Sequence, residues 1–81
     1  MLSSEQVKIW IAAALPCEHL EVAGDGHHFE ALIVSAEFSG LSRVARHQRI
    51  NAALRARLES NELHALSMKT LTPDEWAAQR G

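Results

Sequence analysis

Five histidines, His19, His27, His28, His47 and His64, and a single cysteine, Cys17, are the side chains of this 81-residue chain best suited to metal or redox chemistry. Imidazole is the commonest metal ligand and titrates near neutral pH, so the question is which of these rings converge. His27 and His28 are adjacent and follow the turn signal Gly24-Asp25-Gly26, which puts both in a loop where a side chain reaches outward at little packing cost. Two imidazoles are too few for a closed zinc site, which takes four nitrogen and sulfur ligands. One thiol is likewise too few for an iron–sulfur cluster, which takes four ligands, usually thiolates. A metal held here is therefore expected to be shared with a second protein or a small thiol. The competing reading is a solvated pair of turn histidines plus a strand histidine with an ordinary structural partner, and spacing alone favours it.

Other chemistries find less support. Cys17 lies between Pro16 and Glu18, and an acidic neighbour raises a thiol pKa, so it reads as a structural cysteine. No G-x-S-x-G surrounds Ser42, Ser60 or Ser67. Gly24-Asp25-Gly26 lacks the third glycine and the following helix of a dinucleotide-binding loop. The chain thus reads as a non-enzyme.

The elements that must position these residues follow from periodicity. Ser3 with Gln6 opens a helix whose Val7, Trp10, Ile11, Ala14 and Leu15 share an apolar face, and Pro16 stops it. Leu20 to Val22 alternates as a short strand. Phe29 to Val34 is a second strand whose Leu32-Ile33-Val34 run predicts a central place, and the Gly-rich loop makes the two a hairpin. Ser35 to Ser42 is a link around Gly40, which serves the turn into the next helix. That helix runs from about Ser42 to Leu58, with Val44, Ile50, Leu54 and Leu58 near one face, and Ser60-Asn61 breaks it. A third strand covers Leu63 to Leu71, with His64, Leu66 and Met68 on one side. Thr72 caps a last helix, with Pro73 at its first position, Asp74 and Glu75 near its positive end, and Trp76 as its anchor. The order αββαβα predicts an α+β domain with a three-stranded mixed sheet and helices on one face, the second and third strands being parallel. Parallel strands start at one sheet edge, so His27, His28 and His64 could meet there.

Composition narrows the function classes. At this length the chain is one domain over residues 1–81 with a thin core, since only about 60% of the unfolded surface is buried at such a size. Ten acidic against eight basic residues exclude a strongly basic nucleic-acid module, though not a local basic face. Such a face exists on the long helix, where Arg43, Arg46, Arg49, Arg55 and Arg57 cluster. No apolar run approaches the roughly 18 residues of a membrane span. The polar opening Ser3-Ser4-Glu5-Gln6 shows no signal peptide, and a lone cysteine suits a reducing compartment, so a cytoplasmic location is expected.

The element order resembles a KH-type RNA-binding fold, but the turn Gly40-Leu41-Ser42-Arg43 lacks the second glycine of its backbone-clamping GXXG loop. The residues themselves resemble the BolA family. The matching segments are Val22-Ala23-Gly24-Asp25-Gly26-His27-His28-Phe29, Val34 to Gly40, Arg43-Val44-Ala45-Arg46-His47-Gln48, Ala52-Ala53-Leu54, His64-Ala65-Leu66-Ser67 and Lys69 to Trp76. They cover Leu20 to Trp76 in order, and the compact hairpin looks most like the short bacterial branch.

The resemblance implies a class II KH-like topology and partnership with monothiol glutaredoxins. It implies a [2Fe–2S] cluster held between glutaredoxin cysteine, glutathione thiolate and histidine or cysteine from the BolA-like partner, none being held by the chain alone. His64 matches the family's carboxy-terminal histidine and is the first candidate ligand. The second comes from the hairpin loop, where His28 fits best and His27 is an extra candidate. His47 matches the family's Arg-His pair, and its place near the buried face makes it a structural residue. The alternative, also implied by the family, is a DNA-binding transcriptional regulator of the stress-response and morphology type, with Arg43, Arg46 and Arg49 contacting phosphates. A metal-free protein-interaction module is a third reading. The free chain is expected to be a monomer or weak dimer.

Overall fold

The structure, a computed structural model, describes residues 2–57 and 65–80. Helix α1 spans Ser4–Ala14. The Ser3 hydroxyl accepts from the Gln6 amide at 3.1 Å, which satisfies one of the helix's free N–H groups. Val7 and Ile11 are buried on its inner face, while Leu15, extended before Pro16, ends it.

Strand β1 is His19–Gly24 and β2 is Phe29–Val34. They pair antiparallel from His19↔Val34 to Gly24↔Phe29. Strand β3, Leu66–Leu71, pairs parallel with β2 from Phe29↔Leu66 to Val34↔Leu71. The order β1-β2-β3 puts β2 in the centre, as its apolar run predicts. Expected positions Leu58, Leu63 and His64 lie outside the described residues, among which β3 begins at Leu66, after a turn at Ala65.

Alternation along β2 directs Phe29, Ala31 and Ile33 to one face of the sheet, where all three are buried. Helix α1 and helix α2, Arg43–Arg55, cover that face. Val7, Ile11, Leu15, Phe38, Ile50 and Leu54 complete the core. Full burial of such side chains contributes about 1.5–3 kcal/mol each. Phe38 was not foreseen. The link carries a 3₁₀ turn, Ala36–Phe38, that drives this ring to 0% exposure. Ser35 holds the turn: its hydroxyl donates to the Pro16 carbonyl at 2.7 Å and accepts from the Glu37 amide at 3.2 Å. Gly40 has φ 81°, a left-handed turn that lets Ser42 cap α2 through the Ala45 amide at 3.1 Å.

Two expectations are corrected here. Val44 is 65% exposed rather than part of the apolar face. Six residues from Ile50 place it about 120° around the helix, whereas Arg46 and His47 fall at about 40° and 60° and border the core instead. The second concerns the last helix, α3, Pro73–Arg80. Its start is as expected, with a capping box in which the Glu75 amide donates to Thr72 Oγ1 at 3.1 Å and the Thr72 amide donates to Glu75 Oε1 at 2.8 Å. Trp76, however, stacks on His19 with ring centroids 4.8 Å apart. His19 pairs with Val34, on the face opposite Ile33, so α3 reaches round to the side that α1 and α2 leave open. That explains why Val34 is buried although it lies outside the main core. Among the described residues no helix is long and apolar enough to cross a membrane.

Candidate functional site

The hairpin loop, residues 25–28, is built around one carboxylate. Asp25 Oδ1 accepts from the His27 amide at 2.9 Å and from the His28 amide at 2.8 Å. An aspartate in this place forms an Asx-type turn that substitutes for backbone pairing. The two donors, His28's first and then His27's, hold the Asp25 carboxyl below the ordinary aspartate range. Gly26 takes φ 93° to close the turn. Gly24 is required by close approach: a Cβ there would meet Phe29 Cδ1 at 2.4 Å and the His28 carbonyl at 2.7 Å. Gly24→Ala is therefore expected to cost about 1–3 kcal/mol by pushing Phe29 out of its pocket, readable as a lowered denaturation midpoint.

The loop is tied to the start of β3. The Phe29 amide donates to the Ala65 carbonyl at 2.7 Å, and His28 Nε2 lies 3.3 Å from Ser67 Oγ. Both loop histidines are exposed. His28 is thus brought to the end of the sheet where β3 begins. His64, the residue before Ala65, lies outside the described residues. The anchoring parts, Asp25 and Ser67, were not singled out from sequence, although an aspartate between two glycines ahead of His27 is a turn-anchor signal. Asp25→Ala is expected to speed amide exchange at His27 and His28 while leaving Ile33 protected. Because Asp25 titrates below its ordinary value of 3.8, its support for the fold is present above that pH and fades as pH falls below it.

The remaining donors do not join this site. Cys17 precedes β1, whose far end carries the hairpin, roughly 20 Å away along the strand. Its Sγ lies 3.5 Å from the Leu15 carbonyl, and burial, then Glu37, push the thiol pKa up. His19 pairs with Glu21 beneath Trp76. His47 sits on α2, where burial and the nearby Arg43 lower its pKa. Among the described residues no group of three or more His, Cys, Asp and Glu converges to hold a metal.

The arginines of α2, and Arg57 just beyond it, divide. Arg46 donates to the Leu41 and Thr70 carbonyls, each at 3.0 Å, and to both oxygens of Glu75 at 2.6 and 3.2 Å. Arg49 pairs with Glu37. Arg57 lies over Trp10, 5.7 Å from the ring centroid. Arg43 and Arg55 are exposed. Arg46 is thus a structural tie, and Arg49 meets phosphate only by leaving a carboxylate.

Comparison with known proteins decides the family. The profile described as "BolA-like protein" matches residues 1–75. This chain belongs to the BolA family. It is similar to the acid stress protein IbaG of Escherichia coli K12, at 34% identity over 79 residues, covering 98% of this chain and 94% of that one. It is 43% identical over 61 residues to the DNA-binding transcriptional regulator BolA of Haemophilus influenzae, covering 75% of this chain and 58% of that protein. The solved structure of a BolA homologue from Coxiella burnetii superposes with a TM-score of 0.81 at 38% identity, over 95% of this chain and 99% of that one. In this BolA-family chain the hairpin loop and the start of β3 are joined through Phe29, Ala65, His28 and Ser67.

Proposed function

We propose that this BolA-family chain is a non-enzymatic partner of a monothiol glutaredoxin. It contributes imidazole ligands to a [2Fe–2S] cluster held jointly with glutaredoxin cysteine and glutathione, and so serves cluster trafficking, assembly, or redox and iron sensing. The observation that carries this reading is the placement of His28: exposed, with its amide anchored on Asp25 and its ring against Ser67. The donor set supports it too, because the one thiol, Cys17, is partly buried and hard to ionise, whereas His27 and His28 are exposed. His64 enters this proposal from the sequence resemblance alone.

Such a cluster supplies one-electron chemistry when bound, and imidazole in place of thiolate removes negative charge and raises its potential. The chain's own residues do the orienting. Asp25 fixes the loop backbone, and the Ser67 hydroxyl at Nε2 sets the ring of His28, as outer partners of metal-binding histidines do. The ligating nitrogen must be unprotonated, so release on acidification is built into the chemistry.

The test is to mix the chain with a cluster-loaded monothiol glutaredoxin and record visible circular dichroism and size exclusion. A new spectrum and a heterodimer are expected, both altered by His28→Ala and by His64→Ala. An unchanged glutaredoxin spectrum without a complex contradicts the proposal. If duplex DNA then binds with a steep salt dependence, lost on Arg43→Gln, the reading carried by the name of the Haemophilus relative takes its place.

A further inference from the structure

A second site lies on the other side of β3, in a surface cleft of about 290 Å³ between α2, β3 and α3. Arg43 and His47 of α2, Lys69 and Thr70 of β3, and Gln79 of α3 line it. Arg43 and Lys69 are exposed and cationic. At its floor, Thr70 is 7% exposed, and its Oγ1 has no hydrogen-bond partner among the described residues. The Nε2 atom of His47 is buried and equally without one. Each such group costs about 1–3 kcal/mol when it stays without a partner, so both are open to a ligand's hydrogen bonds. Thr70 can donate through its hydroxyl, and His47 through Nε2 in that tautomer. A carboxylate, Glu75, lines the adjoining stretch of the cleft and is already engaged by Arg46.

We propose that this cleft binds a small-molecule oxyanion of the phosphate class. Arg43 and Lys69 supply the charge, and Gln79 supplies an amide donor. A modest opening of the floor brings the Thr70 hydroxyl and the His47 ring to the anion's oxygens. Two cations and up to three neutral donors along one cleft suit an acceptor-only ligand. The volume exceeds that of a bare phosphate, which favours a phosphate carried on a small organic molecule. The site is separate from the His28 edge and does not depend on the glutaredoxin reading.

The test is a titration of the full chain, followed by amide and histidine-ring resonances, with inorganic phosphate and with glycerol 3-phosphate, each against sodium chloride at matched ionic strength. Saturable shifts confined to Arg43, His47, Lys69, Thr70 and Gln79 are expected. Arg43→Gln with Lys69→Gln is expected to weaken binding at least about tenfold, while Arg55→Gln, outside the cleft, leaves it within about twofold. Tighter binding of glycerol 3-phosphate identifies an organic phosphate as the ligand, and equal binding identifies the free ion. The proposal is overturned if the shifts match those in sodium chloride, or if Arg55→Gln weakens binding as much as the cleft double variant.

Discussion

Phe38→Ala is expected to remove about 3–5 kcal/mol of stability, because the ring is fully buried and the backbone around it leaves little room to collapse. Phe38 packs in the core with Ile11, Ile33, Ile50 and Leu54. Its backbone is fixed on both sides, by Ser35 reaching back to Pro16 and by the Leu41 amide donating to the Phe38 carbonyl at 3.0 Å. A void left there would therefore persist. Native stability amounts to roughly 0.05–0.15 kcal/mol per residue, so the loss takes a large share of what 81 residues provide. Phe38→Leu, which keeps most of the volume, is expected to cost under about 1.5 kcal/mol. Equilibrium unfolding in denaturant reads both values, and a loss under about 1 kcal/mol for the alanine variant would show that the link is not part of the core.

Arg46→Ala is the second large effect, about 2–4 kcal/mol. The guanidinium ties the link, β3 and α3 together through the Leu41 carbonyl, the Thr70 carbonyl and the Glu75 carboxylate, and its side chain is only 12% exposed. Removing it strands two carbonyls and one carboxylate at once. Arg46→Lys is expected to recover little, since an ammonium cannot make the two-point contact with Glu75 while also reaching both carbonyls. The same tie predicts acid sensitivity. Hydrogen bonding from Arg46, then from the Thr72 amide, lowers the Glu75 pKa from 4.5 to about 2. A depressed carboxylate stabilises the fold fully above its unfolded value, and that contribution fades as pH falls from about 4.5 towards 2. In Arg46→Ala the Glu75 titration is expected to move back towards the ordinary range, which carbonyl-detected NMR measures directly. A Glu75 curve unmoved by the substitution would refute the tie.

This second effect also weighs between functions. A DNA-contacting role for Arg46 would require the residue to leave three partners that hold the fold together. The sequence shows five arginines on one helix, but it does not show that Glu75, 29 residues away, and Glu37 take up two of them. Ion pairing across the fold is invisible to helical periodicity.

What was legible had local causes. The caps at Ser3 and Ser42, the box between Thr72 and Glu75, and the central place of β2 each follow from a few adjacent residues. What was hidden depended on contacts distant in sequence. Phe38 looked like part of a polar link until Ser35 met Pro16, and Trp76 looked like a core anchor until His19 appeared on the opposite face. Val44 misled for a different reason: its β-branched type suits a core, but its angle on the helix does not. At the candidate site, the parallel pairing that brings the hairpin to the start of β3 was legible. The Asp25 and Ser67 contacts that hold the histidine were not, because they are properties of a formed turn and a formed sheet.

The proposed function stands or falls on whether a hairpin-loop imidazole becomes a cluster ligand. The most direct measurement is the nitrogen hyperfine coupling of the reduced [2Fe–2S] cluster in the mixed complex, with this chain labelled at its histidine ring nitrogens. Coordinated imidazole nitrogens are predicted, one of whose couplings is lost in His28→Ala and all of which are retained in His27→Ala. A cluster that shows no coupling to the labelled histidines, or a coupling unchanged in His28→Ala, contradicts it.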